Sequence, residues 1–262
     1  LNEMILDKNT IQKALTTRWL GREIYIFEVI GSTNDYLMGL VEKDADEGTV
    51  VITECQSAGR GRFGRRWFSP KGAGIWMSFL IKDISFDGSS PLLSLAVAVG
   101  ASDAIKSKYG VDLAIKWPND IVYTKKKLVG ILLESGICND GRGFVVCGIG
   151  INTDFTTVNV PDDIRESVIS LDEVVEKFID RNLLIPEILN NLEIIIDKYK
   201  CNSLNLKSLL FGKDCFIGSE IIWSDSNQFL EGEIIGFRND GALIISSGGV
   251  EHCLLSGSIT IL

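Results

Sequence analysis

Residues 56–67 carry three glycines (Gly59, Gly61, Gly64) and four arginines (Arg60, Arg62, Arg65, Arg66) and close on Trp67. Like charges crowded on a flexible backbone repel one another and cost ordering entropy. Such a segment is a poor stabiliser of the free chain and makes sense when an anion neutralises it. Glycines let the backbone approach the anion, and guanidinium forks grip phosphate or carboxylate.

Three other readings of these residues are weaker. Gly59-x-Gly61-x-x-Gly64 formally matches the dinucleotide fingerprint, and a strand over 49–54 precedes it. That fingerprint must open an apolar helix, and Arg65-Arg66-Trp67-Phe68-Ser69-Pro70 does not begin one. A nucleic-acid patch conflicts with the charge of the whole chain. Its 26 Lys and Arg against 35 Asp and Glu leave a net −9, so no general attraction to polyanions is expected. A merely solvated loop does not account for the interleaved glycines and the terminal Trp.

Lys116-Trp117-Pro118-Asn119-Asp120 sets a cation, a rigid turn, an amide and a carboxylate side by side. Pro118 biases Trp117 toward extended backbone, although Asn119-Asp120 alone would suit any turn. Lys127 follows Asp120 by seven residues. If the two face each other across a hairpin through 124–126, both end near one cleft, while Lys125 and Lys126 read as solvated turn residues. Gly148 and Gly150 alternate within a strand, which marks close approach of a ligand or another backbone, or a packing need.

Helices are expected over 9–19, from the N-cap candidates Ser32, Thr33, Asn34 and Asp35 to Lys43, and over 91–109. Strands are expected over 23–30, 49–54 and 74–82. Antiparallel strands with tight turns follow over 113–117, 121–123, 127–134 and 143–150. Residues 153–170 show no clear period and read as a loop over a site or a long connection. A capping box at Ser170 starts a helix to 181, and Pro186 starts another to about 199. From 215 onward only short strands and turns are expected, with Asp240-Gly241 as a hairpin signal. The fold class is α+β, divided into a first domain over 1–211 and a small β-barrel-like domain over 212–262.

A chain of 262 residues can bury one substantial core and a small second domain. No apolar run reaches membrane-spanning length, and Leu1-Asn2-Glu3-Met4 lacks a secretory pattern. None of the six cysteines forms Cys-x-x-Cys, and His252 is the single histidine, so a zinc site is disfavoured. The cysteine pattern suits a reducing cytoplasm. Any Ser-His-Asp or Cys-His apparatus would depend on His252, which sits in a C-terminal strand far in sequence from the arginine loop.

Taken together, these segments resemble the biotin protein ligase family. The matching pieces are Gly31-Ser32-Thr33-Asn34, the Gly59 to Trp67 loop, Lys116-Trp117-Pro118-Asn119-Asp120, Lys127-Leu128-Val129-Gly130-Ile131-Leu132 and Gly150-Ile151-Asn152. They appear in family order and cover the first domain. Gly241-Ala242-Leu243-Ile244 and Leu255-Ser256-Gly257-Ser258-Ile259 are similar to the family's small SH3-like domain. The resemblance implies a mixed or antiparallel sheet with helices, of the class II synthetase-like type, followed by an SH3-like β-barrel.

It also implies an ATP-dependent ligase acting in two steps. Biotin and MgATP give biotinyl-5′-adenylate, and a lysine on a biotin carboxyl carrier protein then attacks the mixed anhydride. Biotin is the substrate, with ATP and Mg²⁺ required and no full protein cage expected for the metal. By the same resemblance, Ser32, Thr33 and Gln56 bind the ureido ring with Asn34 in support. Gly59, Arg60, Gly61 and Arg62 close over biotin. Arg60, Arg62 and Arg65 hold phosphates and adenylate, with Lys116 also on the nucleotide side. Lys127 contacts the biotin carboxylate and the α-phosphate. Trp67 and Gly130 shape apolar walls, and Asn119, Asp120 and Asn152 serve the nucleotide and metal side. Asp120 is the candidate base for the acceptor lysine. Residues 153–170 resemble the adenylate-covering loop, and a homodimer is plausible.

Phe63 stands where many relatives have another Arg, which implies altered loop packing rather than lost chemistry. Only 31 residues precede Ser32, without a helix-turn-helix pattern, so the form lacking a DNA-binding domain is expected of the chain as given, and further residues before Leu1 would reopen that reading. A lipoate ligase or octanoyltransferase shares the fold, but its Gly-Gly-rich segment followed by His is not found. A non-catalytic biotin sensor would not need Lys127 and the arginine loop.

Overall fold

The computed structural model describes residues 5–84, 91–225 and 228–262. The start at Leu1-Asn2-Glu3-Met4, read above for a secretory signal, lies outside the described residues. Seven strands form the first sheet: β1 (Ile24–Ile30), β2 (Val50–Gln56), β3 (Gly74–Lys82), β4 (Ala114–Lys116), β5 (Asp120–Tyr123), β6 (Lys126–Ile137) and β7 (Gly143–Asn152). Their order is β1-β2-β3-β7-β6-β5-β4. Only β1 and β2 run parallel, so the sheet is mixed, as the sequence resemblance implies.

The inner strand β3 is buried along its whole length because both faces of the sheet are covered. On one face, α3 (Leu92–Tyr109) and α6 (Arg181–Lys200) pack together over Ile75, Met77, Phe79, Ile149 and Ile151 in the main core. On the other face, α2 (Thr33–Val41) packs through Leu37 and Val41 against Val51, Leu80 and Val146. Strand alternation puts Ser78, Gly148, Gly150, Asn152, Gly130, Glu134 and Asp120 on the same α2 face, with Ser78 and Glu134 register partners of Val51 and Val146.

Several helix boundaries differ from expectation, each for an identifiable reason. The first helix, α1 (Lys8–Ala14), stops well before residue 19. The backbone N–H groups of Arg18, Trp19 and Leu20 donate instead to the Glu193 carboxylate of α6, at 2.7–2.9 Å. The 153–170 stretch contains one helical turn, α4 (Asp162–Arg165), and a parallel bridge between Lys127 and Val168. The Ser170 capping box is present, but its helix, α5 (Leu171–Val175), ends as Glu176 turns left-handed at φ 52°. Asp180 then caps α6 by accepting from the N–H groups of Asn182 and Leu183. Pro186 therefore lies inside this helix rather than at its start. A short α7 (Leu206–Leu209) completes the helices.

The second sheet is five-stranded and wholly antiparallel. It consists of β8 (Glu220–Ser224), β9 (Phe229–Phe237), β10 (Leu243–Ser247), β11 (Val250–Leu254) and β12 (Ser258–Ile261), in the order β11-β10-β9-β8-β12. Its buried Ile221, Ile234, Leu243, Ile245 and Ile259 belong to the same apolar cluster as Ile115 and Trp117 of the first sheet. The Trp117 Nε1–H donates to the Gly241 carbonyl at 3.0 Å. Only glycine fits at 241: its φ is 87°, and a Cβ there would lie 2.6 Å from the Leu92 nitrogen. Among the described residues no helix is long and apolar enough to cross a membrane.

One buried ion pair ties these layers together near the start of the arginine loop. Arg181 Nη1 lies 2.6 Å from Glu54 Oε2, with both side chains 8% exposed. Glu54 Oε1 also accepts from the Leu6 N–H at 2.9 Å. Arg181→Met strips Glu54 of its buried countercharge and is expected to destabilise the protein by about 3–5 kcal/mol. Urea denaturation measures this.

Candidate active site

The floor of the site is a row of residues running across the sheet. The pairing register aligns Trp76, Gly150, Gly130 and Asp120 on successive strands. The two central positions carry no side chain, and the Trp67 indole occupies the space they leave. A Cβ on Gly150 would lie 2.4 Å from Trp67 Nε1, and one on Gly130 would lie 2.7 Å from the indole ring. Trp67 meets Trp76 edge-on at 6.3 Å. Lys127 Nζ sits 5.1 Å from the Trp67 ring, within cation–π range. The alternating glycines thus answer to side-chain packing. Gly148 does the same for Asn34, whose Oδ1 would be 2.3 Å from a Cβ there.

The arginine loop is held by its own backbone. Gly61 N–H donates to the Arg65 carbonyl at 2.7 Å, and Trp67 N–H donates to the Gly59 carbonyl at 2.9 Å. Gly59 is buried in this turn, where a Cβ would come within 2.5 Å of Ser69 Oγ. Carboxylates of the protein itself neutralise part of the loop's charge. Arg60 Nη1 and Nη2 reach Glu134 Oε1 and Oε2 at 2.9 and 3.0 Å, and Nη2 also pairs with Asp35. Partial burial pulls the Arg60 pKa down, but Glu134 and then Asp35 outweigh it and the net shift is upward.

Beneath the loop lies a cavity of about 350 Å³. Fifteen of the sixteen residues singled out in the sequence line it: Ser32, Thr33, Asn34, Gln56, Arg60, Gly61, Arg62, Arg65, Trp67, Lys116, Asn119, Asp120, Lys127, Gly130 and Asn152. Gly59 does not, because its place is inside the turn. One end of the cavity is neutral and rich in hydrogen bonds. Gln56 Oε1 accepts from the Thr33 N–H at 2.9 Å and from its hydroxyl at 3.2 Å, while Gln56 Nε2 donates to Ser69 at 3.0 Å. Ser32 caps α2. The Ser78 hydroxyl donates to Asn34 Oδ1 at 2.5 Å and lies 2.6 Å from Thr33 Oγ1.

The other end is cationic. Arg62 Nη1 donates to Asn119 Oδ1 at 3.2 Å and to the Gly257 carbonyl of the second sheet at 3.0 Å. Its guanidinium also lies 4.8 Å from the Phe63 ring, within cation–π range. Desolvation lowers the Arg62 pKa, with Asp120 opposing and Arg65 adding to the shift. Lys116 is likewise lowered, chiefly by desolvation; Asp120 opposes, while Lys127 and Arg65 reinforce. Lys127 Nζ lies 2.7 Å from Asp120 Oδ1. The pair forms diagonally, since the β5–β6 register is shifted and sets Lys127 beside Val122. Asn152 Nδ2 donates to the Lys127 and Ile169 carbonyls at 3.2 Å, which ties the 153–170 stretch to the strand carrying Lys127.

Sequence reasoning missed several parts of this site. Ser258 and Ile259 line the cavity from β12, and Phe155, Ile164, Ser167 and Val168 line it from the 153–170 stretch, which the sequence marked as a loop over a site without picking out these residues. Lys125, read as a turn residue, lines it too, although Thr124 and Lys125 do form the expected turn. Ser78 and Glu134 were also missed. A lone serine in the apolar run of β3 was the available signal for the first, and nothing in the sequence marked the second. His252 lies in β11, outside the cavity lining. Among the described residues no cluster of three or more His, Cys, Asp or Glu could hold a metal ion.

Residues 26–152 match the Biotin/lipoate A/B protein ligase family. The bifunctional ligase/repressor BirA of Bacillus spizizenii is 33% identical to the chain, over 92% of this chain and 75% of its own length. The biotin–[acetyl-CoA-carboxylase] ligase of Mycobacterium tuberculosis is 28% identical, over 97% of this chain and 95% of its own. The solved structure of the biotin protein ligase from Aquifex aeolicus in complex with biotin and ATP superposes with a TM-score of 0.79 at 26% identity, covering 92% of this chain and 99% of that one. Sequence and fold agree, and the chain belongs to the biotin protein ligase family of ligase enzymes.

Proposed function

We propose that the protein joins biotin to a lysine of a biotin carboxyl carrier domain, through biotinyl-5′-adenylate formed from biotin and MgATP. The observation that carries this reading is the polarity of one cavity, with a neutral hydrogen-bonding end at Ser32, Thr33 and Gln56 and a cationic end at Arg62, Lys116 and Lys127. Biotin has a matching polarity, with a neutral ureido ring at one end and a carboxylate at the other. Residues 1–211 form the catalytic unit in this reading, and residues 212–262 add a wall to its nucleotide end.

Adenylation joins a carboxylate to a polyanion, so their repulsion must be offset before attack. Lys127 sits between the Trp67 wall and the Asp120 carboxylate, where it can contact both the biotin carboxylate and the α-phosphate. Arg62, Arg65 and Lys116 take the phosphates. Arg60 is already committed to Glu134 and Asp35, so it works from the biotin side as part of the closing loop. Partial burial makes the cationic end effective, since charges away from water interact more strongly with a developing anion. Trp67 and Gly130 wall the biotin, while Asn119 and Asn152 hold the nucleotide side in place. Mg²⁺ enters with ATP as part of that substrate and keeps much of its hydration, which fits a cavity whose one lining carboxylate among the described residues is Asp120. Asp120 then takes the proton from the acceptor lysine as its amine attacks and AMP leaves.

Lys127→Ala tests this assignment. Biotin affinity is expected to stay within about tenfold of the parent, while biotin-dependent pyrophosphate release falls by roughly 100- to 1000-fold. Pyrophosphate release at the parent rate would remove Lys127 from its role. The lowered pKa of Lys116 gives a second test. Lys116 grips phosphate only when protonated, so ATP affinity should fall as pH rises through a value below that of an ordinary lysine. Lys116→Arg stays charged and should extend ATP binding to higher pH; ATP KM across neutral to alkaline pH measures this.

A further inference from the structure

Glu134 grips both the arginine loop and helix α2 from the neighbouring sheet. It projects from β6 on the site face and is 26% exposed. Its two oxygens receive the Arg60 guanidinium fork at 2.9 and 3.0 Å, and Oε2 also accepts from Asn34 Nδ2 at 2.7 Å. Asn34 is buried and has its amide engaged at both ends, with Ser78 donating to Oδ1 and Glu134 receiving from Nδ2. Gly148 leaves the space this arrangement needs. Asp35, the second carboxylate on Arg60, is 56% exposed, so solvent screens its pull more strongly.

We propose that Glu134 is a positioning residue for biotin, fixing Arg60 and Asn34 relative to one another so that the loop stays closed over the ureido end of the cavity. This role rests on the biotin-adenylating function proposed above. The loop carries four arginines, and closing it crowds like charges together. The half-buried Glu134 offsets one of those charges at the point where the loop meets the cavity wall. Without it, Arg60 retains only the solvent-screened Asp35, and Asn34 Nδ2 keeps only the long 3.5 Å bond to the Leu132 carbonyl. The nucleotide end is untouched, because Arg62 and Lys116 make no contact with Glu134.

Glu134→Gln and Glu134→Ala separate the two contacts. Glutamine still accepts from Asn34 but offers Arg60 no charge, whereas alanine removes both. The experiment uses the full chain, with biotin and ATP KM from biotin-dependent pyrophosphate release and the release rate of preformed biotinyl-5′-adenylate. Glu134→Gln is expected to speed adenylate release by about tenfold with biotin KM within about threefold of the parent. Glu134→Ala should do the same and also raise biotin KM by about tenfold, with ATP KM within about twofold in both variants. Variants matching the parent in adenylate release and biotin KM would overturn the role. So would an ATP KM that rises in step with the biotin KM, which a general loss of structure would give. A parent protein that makes pyrophosphate and adenylate normally isolates such a failure to Glu134, whereas a parent that makes neither overturns the biotin-adenylating function and this role with it.

Discussion

The site depends on the close approach of one indole to a strip of sheet that has no side chains. Trp67 can lie on the floor only because Gly130 and Gly150 are register partners on adjacent strands. Its seating fixes the C-terminal end of the arginine loop, while the buried turn at Gly59 fixes the other. The four arginines are therefore presented from a short span with both ends anchored. Lys127 is aligned by the same indole on one side and by Asp120 on the other. A methyl group on either glycine would displace Trp67 and disturb the arginine loop and Lys127 together.

Charge is divided across this frame. Arg60 is neutralised by Glu134 and Asp35, whereas Arg62 and Lys116 are desolvated and carry lowered pKa values. A group with a lowered pKa has surrendered hydration without full repayment by a carboxylate, and an incoming anion supplies what is missing. The loop's repulsion is thus relieved at its neutral end and retained at its cationic end. The second sheet takes part, since the Gly257 carbonyl receives Arg62 and β12 lines the cavity.

Much of this was legible in the residues. The glycine and arginine spacing, the Lys116 to Asp120 run and Lys127 each carry a local chemical signature, and all of them except Gly59 and Gly64 line the cavity. The strand pattern was legible as well, because alternation and apolar runs are local properties. What escaped notice depends on distant partners. Glu193 ends α1 early by capturing N–H groups from another part of the chain, and Asp180 rather than Pro186 starts α6. Glu134 looks like any solvent-facing strand residue until the fold brings Arg60 and Asn34 to it. Lys125 reads as turn punctuation until the cavity forms beside it.

The central claim is that one cavity accepts biotin at its neutral end and activates it with ATP at its cationic end. Native mass spectrometry of the full chain, after incubation with MgATP and an equal mixture of biotin and lipoate, tests this most directly. The expected result is a bound mass equal to biotinyl-5′-adenylate. A bound lipoyl-adenylate, or biotin held without adenylate, would contradict the claim.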